Sequence, residues 1–183
     1  ADNGAVAFDI ALQEFPDLII SDIMMPVSDG LELCARIKND MQTGHIPVIL
    51  LTARAMVMHL KEGYLSGADD YIVKPFNIEI LLIRIYNLLS QREKLKNSFG
   101  KRFSLEPMGI DTTSADDHFM QKLFEIIEQH LSDPELNIDF VYKELGFSRS
   151  NFYRKMKAIT DLSPNELIKN KRLEIAARML SET

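Results

Sequence analysis

A single cysteine, Cys34, stands among the 183 residues. No internal disulfide can form, and the chain suits a reducing compartment. Cys34 lies among Leu31, Leu33 and Ile37, which reads as a buried filler rather than a nucleophile. No apolar run approaches the roughly 18–20 residues that a bilayer crossing needs, so no membrane contact is expected of this stretch. The opening ADNGAVAFD lacks the basic and apolar parts of a signal peptide, and the expected location is the cytoplasm. A positive overall balance is also missing. The net charge of −6 argues against indiscriminate polyanion binding. What is present is 46% hydrophobic, enough for one or two globular domains with a real core.

The charge is unevenly spread. Residues 1–90 carry 6 basic and 12 acidic groups, residues 114–147 carry 2 and 8, and residues 148–178 carry 8 and 3. Only the last segment is strongly basic, and a local patch is what phosphate contact requires.

Periodicity divides the chain in two. The first half alternates helices (5–14, 30–39, 54–66 and 77–97) with short apolar strands (17–21, 46–52 and 71–74). Asp29 and Glu32 form a capping box before the second helix, and Pro75 stops the third strand. Strand 17–21 reads as buried on both faces. Unbroken apolar strands alternating with helices predict an α/β parallel sheet covered by helices. Leu81, Ile85, Leu88, Leu95 and Phe99 nearly follow a heptad spacing that Arg92 breaks. Packing on the sheet explains it as far as Leu89, and a short self-pairing coil is the second reading beyond. Gly, Pro and hydroxyl residues over 98–115 read as a linker. The second half, 116–183, is all-α: a helix carrying Phe119, Leu123, Ile126, Ile127 and Leu131, a short helix at 139–145, a turn at 146–148, a helix to about 159, and a long helix capped by Ser163 with Pro164 at its first position.

Parallel sheets place their sites at the carboxyl ends of the strands. Asp22, Thr52 and Lys74 end the three strands, bringing a carboxylate, a hydroxyl and an ammonium to one rim. Singly, each is more often a cap, a loop residue or a solvated charge. Together they suit a phosphoryl group: Asp22 as nucleophile, Thr52 donating to its oxygens and Lys74 neutralising its charge.

DLIISDIMMPVSDG, IPVILLTA and GADDYIVKPF closely resemble the receiver domain of two-component response regulators, over roughly residues 1–92. The resemblance implies a flavodoxin-like, doubly wound sheet. It implies that Asp22 accepts phosphate from a histidine kinase, that Asp22 and the Met24 carbonyl help hold Mg²⁺, and that Thr52 and Lys74 contact the phosphoryl oxygens. Tyr71 matches the aromatic that reorients with Thr52 on activation. Lys74-Pro75 matches a peptide bond that is cis in the family. A receiver, however, has a first strand ending in a pair of acids that bind Mg²⁺. Here the expected domain, residues 1–97, lacks that strand, its acids and the first helix. Weak or absent Mg²⁺ binding and poor phosphorylation are therefore expected. A homodimer is expected too, through the bare sheet edge or the helix over 77–97. A monomer in concentrated sedimentation runs would count against it.

The turn LGFS between two short helices suits a helix-turn-helix. Phe152, Met156 and Ile159 recur at core spacing, leaving Arg149, Ser150, Tyr153, Arg154 and Lys157 outward. Arg reads guanine edges and Lys holds phosphate. The plain alternative is a soluble helix with a basic face. KELGFSRSNFYRKMKAITDLSPNELIKNKRLEIAARML resembles the AraC/XylS-type DNA-binding module, which holds two helix-turn-helix units joined by a long helix. Residues 116–183 correspond to its first half. The resemblance implies contact with double-stranded DNA by Ser148, Arg149, Ser150, Asn151, Tyr153, Arg154 and Lys157, weakened by the missing second unit.

The order of parts fits a phosphorylation-controlled transcription regulator that is not itself an enzyme. It reads as a fragment, cut at both ends, of a hybrid sensor kinase anchored in the inner membrane. A stand-alone response regulator has the same order. Two rivals stand beside it. A phosphohydrolase with an aspartyl-phosphate intermediate wants an acid two residues after the nucleophile, where Met24 sits. A phosphorelay module whose helices bind protein is disfavoured by outward Arg149, Arg154 and Lys157.

Overall fold

Asn3 accepts the Val6 amide through its side chain at 3.0 Å, satisfying one of the free donors at a helix start. That begins α1 (Gly4–Glu14), which ends where Phe15 turns left-handed, φ 51°, and returns its N–H to Ala11. The computed structural model describes residues 1–53, 67–101, 114–160 and 162–181. After α1 come β1 (Ile19–Asp22), α2 (Gly30–Asn39), β2 (Val48–Ala53), β3 (Asp70–Lys74) and α3 (Ile78–Lys101). The helix expected over 54–66, the middle of the expected linker, 102–113, and the side chains of Leu95 and Phe99 lie outside the described residues. The helix α3 continues to Lys101, four residues into the stretch read as linker.

The described strands form one parallel sheet in the order β1-β2-β3, with Asp22 opposite Leu51 and Lys74 opposite Ala53. Side chains alternate across β2. Val48 and Leu50 join Phe8, Leu33, Cys34 and Ile37 beneath α1 and α2. Ile49 and Leu51 join Ile72 and Leu81 beneath α3. Each fully buried Ile or Leu contributes about 1.5–3 kcal/mol, so the middle strand anchors both layers. Cys34 is wholly buried, in the filler position expected of it. The expectation that the first strand is covered on both faces is corrected: α3 packs over Ile49 and Ile72 and leaves Ile20 41% exposed at the sheet edge.

Polar groups tie the layers. The Lys38 ammonium is buried, 2.6 Å from Asp69 and donating to the Ile46 carbonyl at 3.0 Å. One Arg84 nitrogen donates to both Asp70 oxygens at 2.9 Å, joining α3 to β3.

The helical half comprises α4 (Ser114–Gln129), α5 (Ile138–Glu144), α6 (Arg149–Ile159) and α7 (Pro164–Ser181). Phe119, Leu123, Ile127, Val141, Phe152, Met156 and Leu167 form its core. Asn137 caps α5 and Ser148 caps α6. Gly146, φ 74°, makes the turn between them, and a Cβ there would meet nothing within 4 Å. The left-handed backbone, not lack of space, calls for glycine. Ser163 and Glu166 exchange both bonds of a capping box ahead of α7, Glu166 accepting the Ser163 amide at 2.8 Å and Ser163 the Glu166 amide at 3.3 Å.

Candidate functional site

Because the strands are parallel, Asp22, Thr52 and Lys74 reach the same rim. Lys74 extends across the end of β2 and forms a short ion pair with the Asp22 carboxylate. The other Asp22 oxygen accepts the Met24 amide at 3.2 Å. The Lys74 hydrogen bond outweighs the opposing effect of burial and, with the Met24 and Ile23 amides and the Lys74 charge, holds the Asp22 carboxyl below its usual range. It is therefore an anion at neutral pH, and its side chain is 39% exposed, open to a reactant.

Thr52 stands one register step from this pair. Its side chain is buried and its hydroxyl donates to the Ala53 carbonyl at 3.2 Å. Tyr71 lies three residues before Lys74, about 10 Å back along β3, half-buried against the core beneath α1 and α2. The Lys74-Pro75 bond is cis. The Met24 side chain is exposed, and with Ile23, Met25 and Asp29 it lines an open depression in the loop that follows Asp22.

The loop after Asp22 is held by close approach. Gly30 donates to the Ile23 carbonyl at 2.9 Å, and a Cβ on Gly30 would fall 2.2 Å from the Asp22 carbonyl oxygen. Asp29 caps α2 by accepting the Glu32 amide at 2.8 Å, which is the first half of the expected capping box. Replacing Gly30 by Ala should therefore push the start of α2 off β1 and cost about 1–3 kcal/mol, visible as a lower urea midpoint. A midpoint equal to wild type would show that the loop does not hold this geometry.

Mg²⁺ favours octahedral oxygen coordination, commonly with one or two carboxylates. Among the described residues no group of three or more His, Cys, Asp or Glu is placed to hold a metal ion. Asp22 is already paired with Lys74, so an ion there would compete with an ammonium. This donor set does not fit a tight Mg²⁺ site.

On α6, Arg149, Ser150, Arg154 and Lys157 are exposed. The Ser148 hydroxyl accepts the Asn151 amide at 3.2 Å, so it serves the helix start. The expectation that Tyr153 points outward is corrected: it packs half-buried against the helical core, edge-on to Phe152, with the Arg149 guanidinium 5.8 Å from its ring centre. Lys155, counted in the basic excess, is completely buried and paired with Asp116 of α4. The positions 152, 155, 156 and 159 share one helical face. That spacing is the signal that could have placed Lys155 inward.

Residues 1–86 match the response regulator receiver domain, and residues 127–169 match the bacterial regulatory helix-turn-helix proteins of the AraC family. The chain is thus a receiver domain followed by an AraC-type helix-turn-helix, the organisation of a two-component DNA-binding regulator. It is 42% identical over 180 residues to Histidine kinase P4 of Formosa agariphila, covering 98% of this chain and 13% of that protein. It is 42% identical over 86 residues to the DNA-binding dual master transcriptional regulator RpaA of Synechocystis, covering 47% of this chain and 36% of the other. The chain spans well under half the length of these relatives. A solved receiver domain of a signal transduction histidine kinase from Syntrophus aciditrophicus is 33% identical, covering 60% of this chain and 75% of that one at a TM-score of 0.46. Among the described residues no helix is long and apolar enough to cross a membrane.

Proposed function

We propose that this chain is the phosphate-receiving and DNA-binding portion of a hybrid sensor kinase, with Asp22 as the phosphoryl acceptor. The observation that carries the reading is the Asp22–Lys74 pair at the carboxyl ends of parallel strands. An ionised Asp22 oxygen attacks phosphorus in a phosphohistidine. The P–N bond breaks, a P–O bond forms, and the histidine leaves with its electron pair. Lys74 then follows the charge from the carboxylate to the phosphoryl oxygens. Thr52 supplies a hydroxyl once it turns from the Ala53 carbonyl. With a donor set poor for Mg²⁺, this chain takes phosphate slowly. The hybrid origin is supported by a relative named a histidine kinase that aligns along 98% of this chain.

The helical half reads DNA through the exposed basic face of α6. Binding of the chain to duplex DNA should weaken steeply with salt. Lys157→Ala should lower affinity for all sequences alike and reduce the salt slope by about one, in fluorescence anisotropy titrations. Binding that is absent, or indifferent to salt, would favour a module whose helices bind protein instead.

A further inference from the structure

The connection from α2 to β2, residues 40–47, lies at the amino end of the sheet, the end opposite Asp22. The helical half is seated on it. A Cβ on Gly44 would fall 2.7 Å from the Ala115 Cβ of α4. Arg154 of α6 donates to the carbonyls of Gln13 and Glu14 at 3.4 and 3.3 Å, and the Asn151 side chain donates to that of Gln42 at 3.1 Å. Within this contact lies His45, 7% exposed. Its ring stacks on Phe15 with centroids 6.2 Å apart, and the Arg154 guanidinium carbon is 5.8 Å from the centre of the same Phe15 ring. The His45 Nδ1 atom is buried and makes no hydrogen bond. An imidazolium needs both ring nitrogens to donate, so this ring is seated for its neutral form.

The charges around it are already balanced. Lys38 of α2 pairs at 2.6 Å with Asp69, just ahead of β3, and Lys155 of α6 pairs with Asp116 of α4. Arg92 of α3 is drawn by both Asp116 and Asp69, and Asp40, the C-cap of α2, draws Lys155. Among the described residues of this cluster, three cations meet three carboxylates. Burial pushes the His45 pKa well below its usual value, and Lys155, Arg92 and Lys38 push it the same way, against the Gln42 backbone.

We infer that His45 is a proton sensor at the junction of the two halves: a proton on its ring sets a fourth cation against three carboxylates in a buried site, and the halves part so that the charged ring reaches water. The direction follows from the two environments of the ring. Docked, its pKa lies below the usual value. Separated, it is solvated and ordinary, about 6.5. The separated form therefore takes the proton first as pH falls. Docking has its full support above about pH 6.5 and loses it below. One proton lets the separated-to-docked ratio rise by up to about tenfold per pH unit. Asp22 lies on the opposite rim, so the response needs no phosphoryl group and goes beyond the function proposed above.

Hydrogen exchange of the full chain between about pH 8 and pH 5.5, corrected for the intrinsic pH dependence of amide exchange, tests this. Residues 13–15, 40–45 and 149–157 report the junction, and residues 48–52 of β2 report unfolding of the receiver half. Protection of the three junction segments should fall below about pH 6.5 by up to about tenfold per pH unit, return when the pH is restored, and leave β2 unchanged. His45→Phe keeps a ring against Phe15, and His45→Gln keeps a neutral polar group. Neither titrates, and in both the junction should hold its protection across the range. The same pH response in these variants would move the sensor to another group. Junction protection that stays flat in the wild-type chain would overturn the inference, and so would loss of β2 protection in step with the junction, which means acid unfolding. The His45 ring signal, followed by proton NMR in the wild-type chain, needs no variant. A midpoint at or above about 6.5 would show that the docked ring takes its proton freely and would also overturn it.

Discussion

Asp116→Ala should destabilise the protein by about 3–5 kcal/mol, the cost of leaving a buried charge without its partner. Lys155 has no exposed surface, and Asp116 is the carboxylate bonded to its ammonium. Burial already pushes the Lys155 pKa below its usual value even with Asp116 beside it. With Asp116 gone, the ammonium must shed its proton, draw in water or expel α6 from its seat against α4. Converting both residues, as Asp116→Leu with Lys155→Met, should restore most of the loss, because a buried ion pair replaced by apolar groups of similar volume is often neutral. Urea unfolding of the two variants and wild type measures this as midpoint shifts. A loss below about 1 kcal/mol for Asp116→Ala, the size of a surface ion pair, would mean that the pair is solvated.

Asp22→Asn should abolish acyl-phosphate formation. Incubated with radiolabelled acetyl phosphate, the wild-type chain should gain an alkali-labile label. The Asn variant should gain none, since an amide has no ionised oxygen to attack phosphorus. Lys74→Ala should keep the nucleophile and lose the cation that follows the transferred charge. Its carboxyl pKa should rise toward the ordinary value, because the Lys74 hydrogen bond is the largest influence lowering it. Label surviving in the Asn variant would move the acceptor away from Asp22. Both variants should fold, as the pair is about two-fifths exposed and contributes little to stability.

Local signals were legible from residue order alone. Asp29 before a helical period, Ser163 with Pro164, and Gly146 between two short helices each mark an end whose chemistry is complete within four residues. The rim residues were legible too, because strand ends in a parallel sheet converge whatever fills the core. Less legible was anything that depends on which surfaces meet. Ile20 reads like its buried neighbours and is exposed because α3 stops short of it. Tyr153 and Lys155 both sit on a helix with a basic face. One is drawn toward the core by Phe152, the other inward by Asp116, thirty-nine positions away in the chain.

By itself, the sequence determined the two halves, their order, the rim of Asp22, Thr52 and Lys74 and the basic helix, since each rests on periodicity and on residues close together in the chain. Only the tertiary structure decided that Lys74 grips Asp22, that Lys155 is a core residue, and that Arg154 and Asn151 are held by the far end of the receiver. Those outcomes turn on contacts between segments from 39 to 141 residues apart. Local propensity carries no record of such pairs. They form only when the packing of both halves brings the groups within reach and removes the water that would otherwise solvate them.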